Sequence, residues 1–89
     1  MDGMADVSTR LNRVAGQVHG VARMVREEAP CAEVLTQVAA TRGALRAVAL
    51  ELLARHLNQL VEQARARGGQ LDPGALADVE QAIARLTRT

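Results

Sequence analysis

The apolar positions of the first part of the chain recur in alternating steps of four and three residues. They are Val7, Leu11, Val14, Val18, Val21 and Val25. This heptad seam is typical of a helix that packs lengthwise on another helix. Asp6 or Ser8 is suited to cap the helix, residues 1–5 are expected to be frayed, and Ala29, which precedes Pro30, is biased away from helical geometry. The pattern predicts a helix over about residues 6–28.

A longer apolar stripe follows, in a stretch with no proline and one glycine that is rich in strong helix formers. Its members are Val34, Leu35, Val38, Leu45, Val48, Ala49, Leu52, Leu53, Leu57, Leu60 and Val61. A single helix over residues 31–67 would be roughly 55 Å long at ~1.5 Å per residue. A compact monomer of this size has a radius of gyration near ~12 Å. We therefore expect a second chain to cover this helix.

A third, short stripe consists of Leu76, Val79, Ile83 and Leu86. Gly68 and Gly69 precede it and are typical of a helix C-terminus, while Asp72 and Pro73 suit the cap and the first residue of a new helix. The stripe predicts a helix over about residues 73–87. With no strand pattern, the predicted fold class is all-α: a three-helix protomer (medium, long, short) in a single domain over residues 1–89.

Composition adds an oligomer to this picture. The 89 residues include no aromatic residue and one cysteine, so the core is aliphatic and has no internal disulfide. Small domains of this kind usually need a metal or oligomerisation. A single thiol fits a reducing, cytoplasmic location, and no apolar signal-peptide segment is present. The most apolar stretch, residues 44–53, is short and carries Arg46 and Glu51, so no membrane partner is expected.

The basic residues are all arginines, and they are segregated from the acids. Four lie between Val7 and Arg26 with no acid among them, and Arg42 and Arg46 lie in a second stretch without acids. Arginine makes forked contacts with phosphate and base edges. A nucleic-acid surface is one interpretation, and a solvated helix face is the simpler one from charge alone. The candidate DNA contacts are Arg10, Arg13, Arg42 and Arg46.

Cys31 and His56 are the candidate ligands of the long helix. They are 25 residues apart, so in an ideal helix they leave nearly the same face but are separated by roughly 37 Å. In an antiparallel pair of these helices, Cys31 of one chain lies beside His56 of the other, with the symmetry axis between Gly43 and Ala44. Thiolate and imidazole suit soft or borderline metals. The alternatives are a small buried hydrophobe for Cys31 and a core histidine for His56.

The stretch from Arg10 to Leu57 resembles the copper- and nickel-sensing CsoR/RcnR repressors. The shared elements run in the order RLxR, GQV, RM, Cys, Q(V/I) and HL. The resemblance implies a disc-like dimer of dimers, a homotetramer, that binds operator DNA and releases it when an effector binds. It also implies that Cys31 and His56 from opposing protomers are effector-site residues and that Arg10 contacts DNA.

The chain departs from each effector class of that family. Leu60 stands where copper-sensing members have a second cysteine that completes a three-coordinate Cu(I) site. Nickel- and cobalt-sensing members have additional histidines, persulfide-sensing members have two cysteines, and formaldehyde-sensing members have a proline where this chain has Asp2. The effector therefore stays open among Cu(I) or another thiophilic metal ion, a small electrophile such as formaldehyde, a persulfide and an oxidant.

Two functions from different classes follow from these observations. The first is a DNA-binding transcriptional repressor that leaves its operator when an effector is captured at the Cys31/His56 site between protomers. The alternative is a helical oligomeric metal-binding or scaffold protein without a DNA target. An enzyme is not expected, because the chain has no Ser–His–Asp set, no paired carboxylates and no phosphate-binding glycine loop.

Overall fold

The computed structural model describes residues 3–88, with side chains from residue 4 onward. It contains three helices, α1 (Gly3–Arg26), α2 (Cys31–Ala66) and α3 (Pro73–Thr87). No strand forms within residues 3–88, so the predicted all-α class and the medium, long, short order are confirmed. No helix in this part of the chain combines the length and the apolar character needed to cross a membrane.

The first helix begins earlier than its predicted cap. It starts at Gly3, so Asp6 lies in its first turn and Ser8 lies inside the helix. Propensity did not predict the extra turn, because capping residues such as Asp and Ser are also tolerated inside a helix once their side chains face solvent. The prediction of a frayed segment before residue 6 was wrong for residues 3–5, while residues 1 and 2 lie outside the described part of the chain.

The turn between α1 and α2 is closed by backbone hydrogen bonds. The Ala29 amide donates to the Met24 carbonyl at 2.9 Å, and the Glu28 amide donates to the Val25 carbonyl at 3.1 Å. This pair of bonds is a Schellman motif, in which the residue at the left-handed position is usually glycine. Here that residue is Glu28, with φ 56°. The motif ends α1 before Pro30 can interfere with it.

Residues 3–50 form one compact unit. Its buried side chains include Val7, Val14 and Val48. The α1 heptad is divided between two environments, since Val7 and Val14 are buried while Leu11, Val18 and Val25 are 40–60% exposed. The packing within a single chain therefore buries only part of the seam, and several of its apolar side chains remain in contact with solvent.

Residues 51–88 form the second unit, whose buried side chains include Leu60 and Ala64 of α2 and Val79 of α3. The predicted cap of α3 is confirmed. Asp72 accepts a hydrogen bond from the Gly74 amide through Oδ1 at 2.9 Å, and Pro73 is the first helical residue.

The end of α2 is a second Schellman motif. The Gly69 amide donates to the Ala64 carbonyl at 2.7 Å and the Gly68 amide to the Arg65 carbonyl at 3.3 Å. Gly68 has φ 77°, which is the left-handed conformation that glycine adopts without a steric penalty. The prediction that these glycines end the long helix is confirmed.

Candidate functional site

Cys31 is the first residue of α2, and its thiol is free and exposed. The carbonyl of Pro30 accepts hydrogen bonds from the amides of Glu33 (3.0 Å) and Val34 (3.1 Å). Pro30 therefore occupies the capping position and starts the helix at the cysteine. Because the side chain is exposed in the single chain, the alternative of a small buried hydrophobe does not describe it there.

His56 lies on the part of α2 that belongs to the second unit, and its side chain is also exposed. It follows Leu52, which is 38% exposed, by one turn and precedes Leu60, which is only 8% exposed, by one turn. The imidazole is therefore not part of the core of this unit. Leu60, by contrast, is a core residue of this unit.

A single chain does not assemble a metal centre from the residues described. Within residues 3–88 there is no group of three or more His, Cys, Asp or Glu side chains positioned to hold a metal ion. Among the side chains of α2, the donors suited to a soft or borderline ion are the exposed thiol of Cys31 and the exposed imidazole of His56. This donor pair fits a soft metal ion such as Cu(I), provided that more than one chain or an external ligand contributes to the coordination.

Two of the predicted DNA contacts meet in a cleft of the first unit. This cleft, of about 260 Å³, is lined by Arg10, Arg13, Val14, Gln17, Ala44 and Ala47, and we call it the arginine cleft. Arg10, Arg13 and Gln17 share one face of α1 because they are spaced by three and four residues. The two alanines of α2 leave room beneath the long side chains. Gln17 was not predicted as a site residue, although its spacing from Arg10 and Arg13 was visible in the sequence.

The other two predicted DNA contacts lie outside the arginine cleft. Arg42 borders an apolar groove of about 350 Å³, which we call the valine groove. It is lined by Val14, Val18, Val21, Val38, Thr41, Arg42 and Leu45. Arg46 is exposed one turn further along α2 and lines neither depression. The structure thus brings Arg10 and Arg13 together and does not bring Arg42 and Arg46 into the same cleft.

Comparison with known proteins identifies the family of this fold. Residues 4–88 match the family model described as "Metal-sensitive transcriptional repressor". The chain belongs to the metal-sensitive transcriptional repressor family. Its function is therefore that of a transcriptional repressor, not of an enzyme, and membership of the family implies binding to DNA and self-association.

Curated relatives of this repressor include two copper sensors. The copper-sensing transcriptional repressor RicR of Mycobacterium tuberculosis is 52% identical over 80 residues, which cover 90% of this chain and 83% of RicR. The copper-sensing transcriptional repressor CsoR of Bacillus subtilis is 36% identical over 80 residues, which cover 90% of this chain and 70% of that protein. The predicted resemblance to this group of repressors is confirmed.

Solved structures of the family share the fold of the repressor. The nickel-responsive transcriptional regulator InrS has a TM-score of 0.81 at 40% identity, covering 96% of this chain and 93% of InrS. The copper-sensing repressor CsoR of Geobacillus thermodenitrificans, solved with Cu(I), also has a TM-score of 0.81, at 34% identity, covering 96% of this chain and 86% of that one. The three-helix protomer is therefore the fold of the family.

Proposed function

We propose that this repressor releases its operator when an effector is captured between Cys31 of one protomer and His56 of a second protomer. The observation that carries the proposal is the exposure of both side chains on one continuous 36-residue helix, α2. Neither side chain contributes to the described core, so both donor atoms are accessible to a ligand or to a second protomer. An antiparallel pair of α2 helices supplies both donors at each end.

We propose Cu(I) as the effector. The relative with 52% identity over 90% of this chain is named as copper-sensing, and thiolate with imidazole is a donor set for soft and borderline ions. Leucine has no donor atom, so Leu60 adds no third ligand and the proposed site has two protein donors. The ion would be held by Cys31 and His56 alone, or with one small ligand from solution. An exposed thiol can also react directly with an electrophile or oxidant, so the test below includes those agents.

The second protomer is proposed to cover the valine groove. Val18 and Leu45, which line it, are 54% and 50% exposed in the single chain. Burial of apolar surface of this kind stabilises an association by about 25 cal/mol for each Å² removed from water. A second copy of the chain supplies the same apolar rows in an antiparallel pair, and two such homodimers would form the homotetramer that the family resemblance implies.

Operator binding is assigned to the arginines of α1 and α2. Arg10 and Arg13 in the arginine cleft, with Arg42 and Arg46, would contact the phosphate backbone. The sequence carries no recognisable helix-turn-helix motif, so recognition would depend on phosphate contacts and DNA shape. Capture of the effector at both ends of the α2 pair would then favour an arrangement of protomers that no longer matches the DNA. A coupling of ~1–3 kcal/mol would weaken operator binding by roughly 5–150-fold.

Retardation of the protein's own promoter DNA tests this function. The wild type should bind the DNA, and a panel of Cu(I), Ni(II), Zn(II), formaldehyde and a persulfide donor should identify the agent that releases it. Cys31→Ala and His56→Ala should bind DNA normally and resist release. His19→Gln is the control for loss of a histidine: in a separate copper titration it should retain the copper stoichiometry of the wild type. Release of Cys31→Ala by every agent that releases the wild type would reject the site.

A salt titration of the same complex tests the arginine surface. The slope of log affinity against log salt should be steep, and Arg13→Gln should reduce its magnitude by about 0.9 for each phosphate that the arginine neutralises in the wild type. Arg85→Gln on α3 is the matched control for charge. A wild type that binds metal but retards no promoter fragment would instead favour the metal-binding or scaffold alternative.

A further inference from the structure

A depression on α1, of about 270 Å³, lies apart from the residues assigned to the effector and to the arginine cleft. It is lined by Gly16, His19, Gly20, Arg23 and Arg26, and we call it the glycine depression. Three cationic or potentially cationic side chains thus surround two residues without side chains. All five residues lie within the first unit and on a single helix, so the arrangement depends on no other part of the chain.

The direction of helical side chains explains why the depression forms. Side chains on an α-helix lean toward the N-terminus and cover the turn that precedes them. Arg23 therefore leans toward the turn that contains His19 and Gly20, and Arg26 leans toward the turn that contains Arg23. Because glycine has no side chain, the helix backbone is uncovered at Gly16 and Gly20, in a depression that His19, Arg23 and Arg26 also line.

The two glycines have no internal steric reason to be there. A Cβ atom at Gly16 or at Gly20 would meet nothing within 4 Å, and neither residue has the positive φ that disfavours other residues. Alanine at either position would favour the helix by ~1 kcal/mol. The glycines thus weaken α1 without relieving any contact among the described residues, which is expected where an outside group approaches the backbone closely.

The cations of the depression have no anionic partner in the part of the chain that the structure describes. Within residues 3–88, His19, Arg23 and Arg26 form no ion pair or side-chain hydrogen bond, although Glu27 lies one turn beyond Arg23. Basic residues in the last turn of a helix interact favourably with its dipole, and this accounts for the positions of Arg23 and Arg26. It does not account for the two glycines or for His19.

We propose that the glycine depression is an oxyanion site that takes a phosphate group, with the two guanidinium groups as principal donors. Arginine binds phosphate through two parallel N–H donors, and the uncovered backbone lets the group approach the helix. This inference rests on the proposed function for one source of the phosphate, the backbone of the operator DNA. The other source is free phosphate or a small phosphorylated compound.

The first experiment uses the full-length, effector-free protein and inorganic phosphate, without DNA. The ring protons of His19 and His56 are followed by NMR at constant pH and ionic strength, with chloride as the reference anion. His19 should shift with saturation and His56 should not. The shift should disappear in Arg23→Gln/Arg26→Gln, persist in the matched double variant Arg85→Gln/Arg88→Gln, and disappear in Gly20→Leu, which fills the depression.

The proposal would be overturned if phosphate caused no change in the His19 chemical shifts, or the same change in Arg23→Gln/Arg26→Gln as in the wild type. Circular dichroism of each variant separates loss of the site from loss of the helix, and Arg23→Lys/Arg26→Lys should recover part of the response because it restores the charge. Since no DNA is present, this result is independent of whether the protein binds an operator.

The second experiment identifies the source of the phosphate. If it is the DNA backbone, Arg23→Gln/Arg26→Gln should weaken binding to specific and non-specific DNA alike, by about tenfold, and should reduce the salt slope relative to the Arg85→Gln/Arg88→Gln control. If DNA binding is unchanged while the phosphate response is abolished, the site takes a small phosphate compound. If the wild type binds no DNA, the proposed function fails and the phosphate titration still decides the site.

Discussion

Leu60 follows His56 by one turn of α2, yet the two side chains occupy opposite environments: Leu60 is 8% exposed and His56 is exposed. In an α-helix, residues four positions apart point in nearly the same direction, so a ligand at position 60 would be a neighbour of the imidazole. Here that neighbour is a core residue of the second unit. An apolar side chain thus stands beside His56, so in the proposed effector site Cys31 and His56 are the two protein donors.

Substitution of Leu60 by cysteine should lower stability and raise metal affinity. Leu60→Cys removes buried methyl groups, and we expect a loss of about 1–3 kcal/mol in the free energy of unfolding. It also adds a thiol one turn from His56, so Cu(I) should bind more tightly than in the wild type. Competition with a Cu(I) chelator and urea unfolding measure the two effects. Leu60→Ala is the control: it should lose stability without any gain in copper affinity, and an equal gain there would contradict the assignment.

Mixing two inactive variants tests whether the donors come from different protomers. Cys31→Ala and His56→Ala should each lose tight copper binding. After they are unfolded and refolded together, half of the dimers are mixed, and each mixed dimer holds one intact site. Copper capacity should therefore return to about a quarter of the wild-type value in a two-fold symmetric dimer.

The control for this experiment mixes the wild type with the double variant Cys31→Ala/His56→Ala. In that mixture each hybrid dimer lacks an intact site, so copper capacity should fall below the average of the two parents. If the first mixture binds no copper tightly and the second has the average capacity of its two parents, both donors belong to one chain. The inter-protomer site would then be rejected.

A charge in the valine groove should prevent self-association. Leu45 is 50% exposed in the single chain and lines the groove, so Leu45→Glu would place a carboxylate in the proposed interface. Transfer of an unpaired charge into an apolar interface is unfavourable by several kcal/mol. Sedimentation should show a lower mass than the wild type at equal concentration. Ala40→Glu is the control, because residue 40 lies about 140° away around the helix and is also exposed; this variant should keep the wild-type mass. A lower mass in both variants would point to a general effect of charge.

Glu28→Gly should stabilise the turn between α1 and α2. Glu28 has φ 56°, a left-handed conformation that costs a side-chain-bearing residue about 1 kcal/mol relative to glycine. The two Schellman hydrogen bonds hold it there. Urea unfolding at a fixed protein concentration should show a gain of about 1 kcal/mol. Glu28→Gln removes only the charge near the helix C-terminus, and a gain of the same size in that variant would assign the effect to electrostatics.

The three helices and most of their ends were predictable because the interactions behind them are local. The heptad of α1 and the stripe of α3 are periodic within a few turns. Asp72 caps α3 by accepting a hydrogen bond from the amide of Gly74, two residues further along the chain. Gly68 ends α2 because it adopts a left-handed backbone conformation. The start of α1 at Gly3 was missed because no strong local signal marks it. The family resemblance likewise depended on short motifs that can be read along the chain.

Burial was not predictable in the same way, because it depends on which segments meet. The heptad shows that Val14 and Val18 share a seam, yet packing buries the first and exposes the second. The long stripe of α2 includes Leu60 and Leu57 without distinguishing the core residue from the exposed one. The glycine depression differs in this respect, because its five lining residues all lie on α1 and their spacing is local. Periodicity selects the face of a helix, whereas contacts between distant segments decide which part of that face is covered and which part remains available to a ligand or a second chain.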